Sequence, residues 1–257
     1  MQSKPIGVFD SGLGGLTVVK ELIKDLPNED ILFLGDTARV PYGTRSKEVV
    51  QKFSLEDANF LLSKNVKCIV IACNTSSALA GGLLKSKMEI PVFDVIAPAT
   101  REAKRVSKTG NIGVIGTRGT IDSGAYKVLY SKNCPLFVPF IEEGEINSPA
   151  LKILVKSYLS TLKGKIDTLI MGCTHYPIIE NLIRNEVTKD VILVNPGKCV
   201  SKDVKNYLIK NNMLNGQNKN GDIKYFVTDL TERFVKVAEI FLEEKIKGKI
   251  YMVSINS

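Results

Sequence analysis

Ile69-Val70-Ile71-Ala72-Cys73-Asn74-Thr75 is a short apolar run that ends in small polar residues, and it returns about 100 residues later as Leu169-Ile170-Met171-Gly172-Cys173-Thr174-His175. Each run is strand-length and nearly all apolar, the pattern of a strand buried on both faces of a parallel sheet. Two more pieces repeat at nearly the same offset: Ile6-Gly7-Val8 as Ile112-Gly113-Val114, and Val92–Ile96 as Val191–Val194. Three matches in one order indicate a duplicated half. Ile31–Leu34, Leu136–Ile141 and Thr168–Met171 also read as strands. Helical periodicity runs through Leu16–Leu26 and Lys47–Ser63, and Ser148-Pro149 is an N-cap and first-turn pair opening a helix to Leu162. The βαβα order predicts an α/β protein of two similar halves. Beyond Asn206 come a polar loop (Asn211–Gly221), a strand (Ile223–Val227) and an amphipathic helix (Asp229–Ile246), with Asp229 and Glu232 as a capping pair.

Composition narrows the class. The chain has 257 residues, 44% hydrophobic and 24% charged, which excludes disordered, collagenous and coiled-coil proteins. No apolar run approaches the roughly 18 residues of a membrane span, and Met1–Gly7 lacks a signal-peptide pattern, so a soluble cytoplasmic protein without a membrane partner is expected. Lys and Arg outnumber Asp and Glu by 35 to 27, a net charge of +8. The lysines are scattered and the densest stretch, Glu243–Lys249, mixes both signs, so no nucleic-acid partner is expected. The five cysteines, at 68, 73, 134, 173 and 199, are odd in number and form no close pair, which argues against disulfides and a CxxC site. With a single histidine there is no zinc-finger spacing, and no metal is expected.

Ligands of open α/β sheets bind beyond the carboxyl ends of the strands. Cys73 and Cys173 both follow such ends, so halves that face one another would put the two thiols on one cleft. Asn74, Thr75 and Ser76 after the first, and Thr174 and His175 after the second, can hold a carboxylate near a helix N-terminus. The loops Asp10–Gly15 and Gly116–Thr120 lack dinucleotide spacing and suit an anion nest instead. Asp10 and His175 are placed to relay protons, one near each thiol. Gly35–Gly43, with its Gly, Pro and Tyr, reads as a rigid loop over the cleft. Cys68, Cys134 and Cys199 read as packing residues. On these residues alone a Cys–His hydrolase built on Cys173 and His175, or a non-catalytic amino-acid-binding module, stays open.

Asp10–Gly15 (DSGLGG), Gly35–Gly43 (GDTARVPYG), Ala72–Ser76 (ACNTS) and Gly172–Pro177 (GCTHYP) together resemble the signature motifs of the glutamate racemase family, within the cofactor-independent aspartate/glutamate racemase superfamily. The resemblance runs from Pro5 to about Leu242. It implies two α/β domains with parallel-rich sheets related by pseudo-twofold symmetry, residues 1–96 with 207–257 and residues 97–206, and an active site in the cleft between them. It implies interconversion of L- and D-glutamate without a cofactor, supplying D-glutamate for peptidoglycan. An aspartate racemase or another isomerase of the superfamily is the alternative. Residue by residue, Cys73 and Cys173 match the two acid/base thiols, the first acting on the D-isomer and the second on the L-isomer. Asp10 and His175 match the groups assisting them. Ser11, Tyr42, Gly43, Asn74, Thr75, Thr174 and His175 match substrate contacts, as do Asp10 and the pair Thr117 and Thr120. Glu142 resembles an acidic position of the family, with Glu143 competing for the register. Ser76 stands where Ala is commoner, Asn195-Pro196 where Asp and a small residue are usual, and Lys247–Ser257 has no counterpart. The expected partner is the small-molecule substrate, with a homodimer also admissible.

Overall fold

The computed structural model describes residues 2–232 and 234–255, so Met1, Arg233, Asn256 and Ser257 lie outside the described residues. The first half runs β1 (Ile6–Asp10), α1 (Leu16–Asp25), β2 (Ile31–Gly35), α2 (Lys47–Ser63), β3 (Cys68–Ile71), α3 (Asn74–Lys87), β4 (Val92–Asp94) and α4 (Ile96–Val106). The second runs β5 (Ile112–Gly116), α5 (Arg118–Asp122), β6 (Tyr130–Asn133), α6 (Phe137–Glu142), α7 (Pro149–Leu159), β7 (Thr168–Gly172), α8 (Glu180–Val187), β8 (Ile192–Val194) and α9 (Pro196–Lys210). The chain then adds β9 (Ile223–Val227), α10 (Phe234–Leu242) and β10 (Lys249–Met252).

Two parallel sheets result, ordered β10-β9-β2-β1-β3-β4 and β6-β5-β7-β8. The run β2-β1-β3-β4 and the whole second sheet have the same strand order, so the duplication in the sequence is a duplication of topology. The central strands β1, β3, β5 and β7 are buried along their whole length, which is why they are apolar without alternation. Helix α1 lays Leu16, Val18, Val19 and Leu22 into the core and packs on α9 and α10. It thereby joins an element of the first half to one that follows the second sheet. A buried cation ties further segments together. Lys67 Nζ donates to Gln2 O at 2.8 Å and Met213 O at 2.9 Å and pairs with Glu29, whose other oxygen accepts from Asn215 N at 2.7 Å.

Three sequence expectations need correction, and one unassigned segment gains a place. Leu136–Ile141 is not a strand: α6 covers Phe137–Glu142. Its β-branched and aromatic composition imitates a buried strand, but Pro139 falls in a first helical turn, where its missing N–H costs nothing. Helical spacing then buries Phe137 and Ile141, four apart, in the core. The strand of this repeat is the half-polar Tyr130–Asn133, an edge strand with one partner. The helix expected over Asp229–Ile246, which includes the undescribed Arg233, is α10 and spans Phe234–Leu242. Asp229 lies before that helix, its backbone N–H and C=O both bonded to the Thr37 hydroxyl. Finally, the unassigned tail contributes β10, paired in parallel with β9. Among the described residues no helix is long and apolar enough to cross a membrane.

Candidate active site

The carboxyl ends of both sheets open on one cavity of about 250 Å³, below the roughly 300–1,000 Å³ usual for drug-sized ligands. From the first half its walls are Ser11 and Gly12 after β1, Val40–Thr44 after β2, and Cys73–Thr75 after β3. From the second they are Thr117 and Arg118 after β5, Pro135, Val138, Pro139 and Glu142 after β6, and Cys173–His175 after β7. A larger groove of about 590 Å³ beside β9 and β10 contains neither thiol nor imidazole.

The two thiols are equally buried, each 6% exposed, but differently partnered. Cys73 is the N-cap of α3. Its sulfur lies 3.5 Å from Ser11 Oγ and accepts the Ser76 N–H at 3.4 Å. Burial, and then the charge of Asp10, push this thiol up to about 11, while bonds from Ser76 and Ser11 pull the other way. Cys173 faces His175, with Sγ and Nδ1 3.8 Å apart. The other ring nitrogen of His175 meets Glu142 at 2.9 Å, and the ring edge packs against Phe241 of α10 with centroids 4.9 Å apart. Burial alone would lower the imidazole, but hydrogen bonds with Cys173 and Glu142 outweigh it and raise His175 to about 10, favouring its protonated form. Of the two adjacent glutamates, Glu142 lines the cavity and meets the histidine.

Asp10 closes β1 behind the cavity wall. One carboxylate oxygen accepts Gly12 N–H at 3.1 Å, and the other is buried without a partner. Burial raises Asp10 to about 6 although the charge of His175 works against this. Of the expected contacts, Ser11, Tyr42, Gly43, Asn74, Thr75, Thr117, Thr174 and His175 line the cavity, whereas Asp10 and Thr120 stand behind it. Thr120 acts through its neighbours: Thr75 Oγ1 lies 2.9 Å from Thr117 Oγ1 and 3.3 Å from Thr120 Oγ1, a hydroxyl cluster bridging the halves. Asn74 Oδ1 accepts from Tyr126 OH at 2.5 Å, so its amide NH₂ is left for the cavity.

The loop after β2 is braced from beneath. The Tyr42 hydroxyl sits between Asp36 and Asp57, 3.0 Å from the latter, and so points away from the cavity. Arg39 joins Asp36, Glu56 and Asp57 and lies over the Phe53 ring. Gly43 is required where this loop meets the other half, since a Cβ there would sit 2.8 Å from Thr117 Cβ. Of the cavity's apolar walls, Val40-Pro41 belongs to the loop expected over the cleft, whereas Val138-Pro139 was missed from the sequence. They follow the equivalent strands β2 and β6, and the same dipeptide recurring at the offset of the repeat was the available signal. Arg118, exposed at the cavity wall, was also missed. Among the described residues no group of three or more His, Cys, Asp or Glu could hold a metal ion.

Residues 6–202 match the family model described as Asp/Glu/Hydantoin racemase. The chain is 42% identical to the glutamate racemase of Geobacter metallireducens, covering 100% of this chain and 99% of the relative. It is 45% identical to that of Aquifex aeolicus, covering 95% and 96%. Among solved structures it is similar to glutamate racemase from Francisella tularensis in complex with D-glutamate, at TM-score 0.92 and 41% identity, covering 100% of this chain and 99% of that one.

Proposed function

The chain belongs to the Asp/Glu/Hydantoin racemase family, and from that premise we propose that it is a glutamate racemase working by two thiols and without a cofactor. The supporting observation is that each half of the molecule contributes one thiol, from equivalent strand ends, to the same small cavity. Inversion at the α-carbon needs a base on one face and an acid on the other. Cys173 removes the α-proton of L-glutamate while Cys73 delivers one to the opposite face, and the roles exchange for the D-isomer. His175, protonated and held by Glu142, stabilises negative charge on Cys173 or returns its proton. Asp10 is the corresponding carboxyl on the Cys73 side.

The α-carboxylate is held by the free backbone N–H groups at the start of α3 and by Asn74, Thr75 and Thr174, and the Thr117 hydroxyl completes the set. These donors also stabilise the carbanion, whose charge spreads onto that carboxylate. The apolar Val-Pro walls keep water from the reacting carbon. The units that carry the two thiols are residues 1–96 with 207–257 and residues 97–206, so that α4 after its first residue goes with the second unit and the last boundary falls within α9. The product, D-glutamate, serves peptidoglycan synthesis in the cytoplasm.

The deciding experiment incubates the dialysed protein with L-glutamate in deuterium oxide. Loss of optical activity with α-deuteration, surviving EDTA and hydroxylamine, is expected. Activity restored only by pyridoxal phosphate would overturn the mechanism. A kcat/KM for aspartate equal to that for glutamate would overturn the substrate.

A further inference from the structure

Four polar residues open α3, and three of them have partners. Asn74 Oδ1 accepts from Tyr126, Thr75 joins Thr117 and Thr120, and the Ser77 hydroxyl donates to Ile71 O at 3.1 Å. Ser76 is 0% exposed, and its hydroxyl makes no hydrogen bond of ordinary geometry, although it stands near enough to Cys73 to favour the ionised sulfur. A buried hydroxyl left unpaired costs about 1–3 kcal/mol. A helical serine usually escapes that cost by bonding a carbonyl three or four residues back, and Ser76 does not. Its place in the helix indicates what it serves. In an α-helix each Cα–Cβ bond tilts toward the N-terminus, which at Ser76 is the direction of Cys73, and the Ser76 N–H already reaches that sulfur at 3.4 Å.

We infer that Ser76 is a positioning residue for Cys73, its hydroxyl supplying one of three hydrogen bonds to the sulfur once the thiol has lost its proton. This rests on the two-thiol reading above. A neutral thiol is a weak acceptor and gives its own proton to Ser11 Oγ at 3.5 Å. On ionisation the sulfur becomes a strong acceptor, the Ser11 hydroxyl rotates from acceptor to donor, and the Ser76 N–H and hydroxyl complete the set. The unpaired hydroxyl thus finds its partner only in the thiolate, so its contribution falls on the charged form alone. It works against burial and against Asp10, the carboxyl facing Cys73 from the end of β1. Across the cavity stand Cys173, His175 and Glu142. Cys173 has no equivalent donor. The residue three places after it is Tyr176, whose hydroxyl donates to Cys134 O at 2.8 Å. The influence of Ser76 is therefore confined to one of the two thiols.

The test measures alkylation of Cys73 and Cys173 by iodoacetamide against pH, peptide by peptide, in the full chain and in Ser76→Ala and Ser76→Thr. Alanine is smaller and a better helix former, so α3 is retained. In Ser76→Ala the Cys73 profile should move to higher pH, with about tenfold less thiolate at a given pH below its midpoint, while Cys173 stays in place. Ser76→Thr, which keeps the hydroxyl, should follow the parent. Elimination of chloride from β-chloro-D-alanine, which needs one proton abstraction, should slow about tenfold at neutral pH in Ser76→Ala, and that from the L-isomer should not. An unchanged Cys73 profile in Ser76→Ala overturns the proposal, and so does a shift of both thiols together, which would report a loosened site. The alkylation profile does not depend on turnover. A protein that fails to racemise glutamate but shows the Cys73 shift would refute the function and keep the role of Ser76, and an active protein without the shift would do the reverse.

Discussion

Asp10 is held where a carboxylate is costly. Its folded value of about 6 lies above the 3.8 of an unperturbed Asp, so the native state binds its proton more tightly than the unfolded chain does. By linkage this costs stability as pH rises from about 4 to about 6, and the full penalty stands above that range. Asp10→Asn should therefore be more stable than the parent at pH 7 by about 2–3 kcal/mol. The difference should vanish below pH 4, and activity should fall. Urea unfolding at the two pH values checks the first claim, and an Asn variant less stable at pH 7 would show that the ionised carboxylate is held favourably after all. Cys73→Ser and Cys173→Ser test the division of labour. Each should lose racemisation in both directions by at least about 10²–10⁴-fold, since an alcohol is a far weaker acid than a thiol. Chloride elimination from a β-chloro substrate needs only one base. Cys73→Ser should keep it for the L-isomer and Cys173→Ser for the D-isomer, and retention of the same enantiomer by both variants would contradict the arrangement.

Loops carry the precision of the site at the scale of elements. The turn between β1 and α1 lies so close to the second half that a Cβ on Gly14 would stand 2.4 Å from Thr174 Oγ1 and 2.5 Å from the His175 ring. Gly14→Ala should displace that ring and reduce kcat by about 10²-fold, the order expected for an ångström of misplacement. Its melting temperature should stay near that of the parent, and activity within twofold of the parent would refute the contact. The strands and first helices were legible in the sequence because burial on both faces and on one face leave different apolar periods. Cys73 and Cys173 were legible because a repeat marks equivalent strand ends. Leu136–Ile141 was misread because a short apolar run has the same composition in a buried helix as in a strand, and only Pro139 argued otherwise. That misreading hid Val138 and Pro139 from the list of cavity walls. The support of His175 by Phe241 depends on a contact between the halves, which no local pattern encodes.

For the whole molecule the question is what holds a chain that leaves its first sheet and later returns to it. Lys67 and Glu29 sit at the amino ends of the strands, away from the thiols, and join the N-terminal segment, the turn before β2 and the segment after α9. Lys67→Met leaves a buried carboxylate unpaired and should cost about 3–5 kcal/mol, whereas Lys67→Met with Glu29→Gln should recover part of that loss. Denaturant unfolding of both variants decides it, and a double variant no more stable than the single one would count against the pairing. The turnover of folded protein should be untouched in either. The unequal surroundings of the thiols have a different consequence. Cys73 is served by hydroxyls, an amide and a helix start, and Cys173 by an imidazole and a carboxylate. Mirror-image amino acids have the same free energy in water, so a racemase works on an equilibrium constant of one at every pH. The ratio kcat/KM must then be identical in the two directions, whatever is done to either sulfur. The asymmetry of the site can appear only near saturation, as turnover numbers and half-saturating concentrations that differ in equal proportion. A lasting excess of one enantiomer around this protein has to be maintained by reactions that make or consume that enantiomer elsewhere.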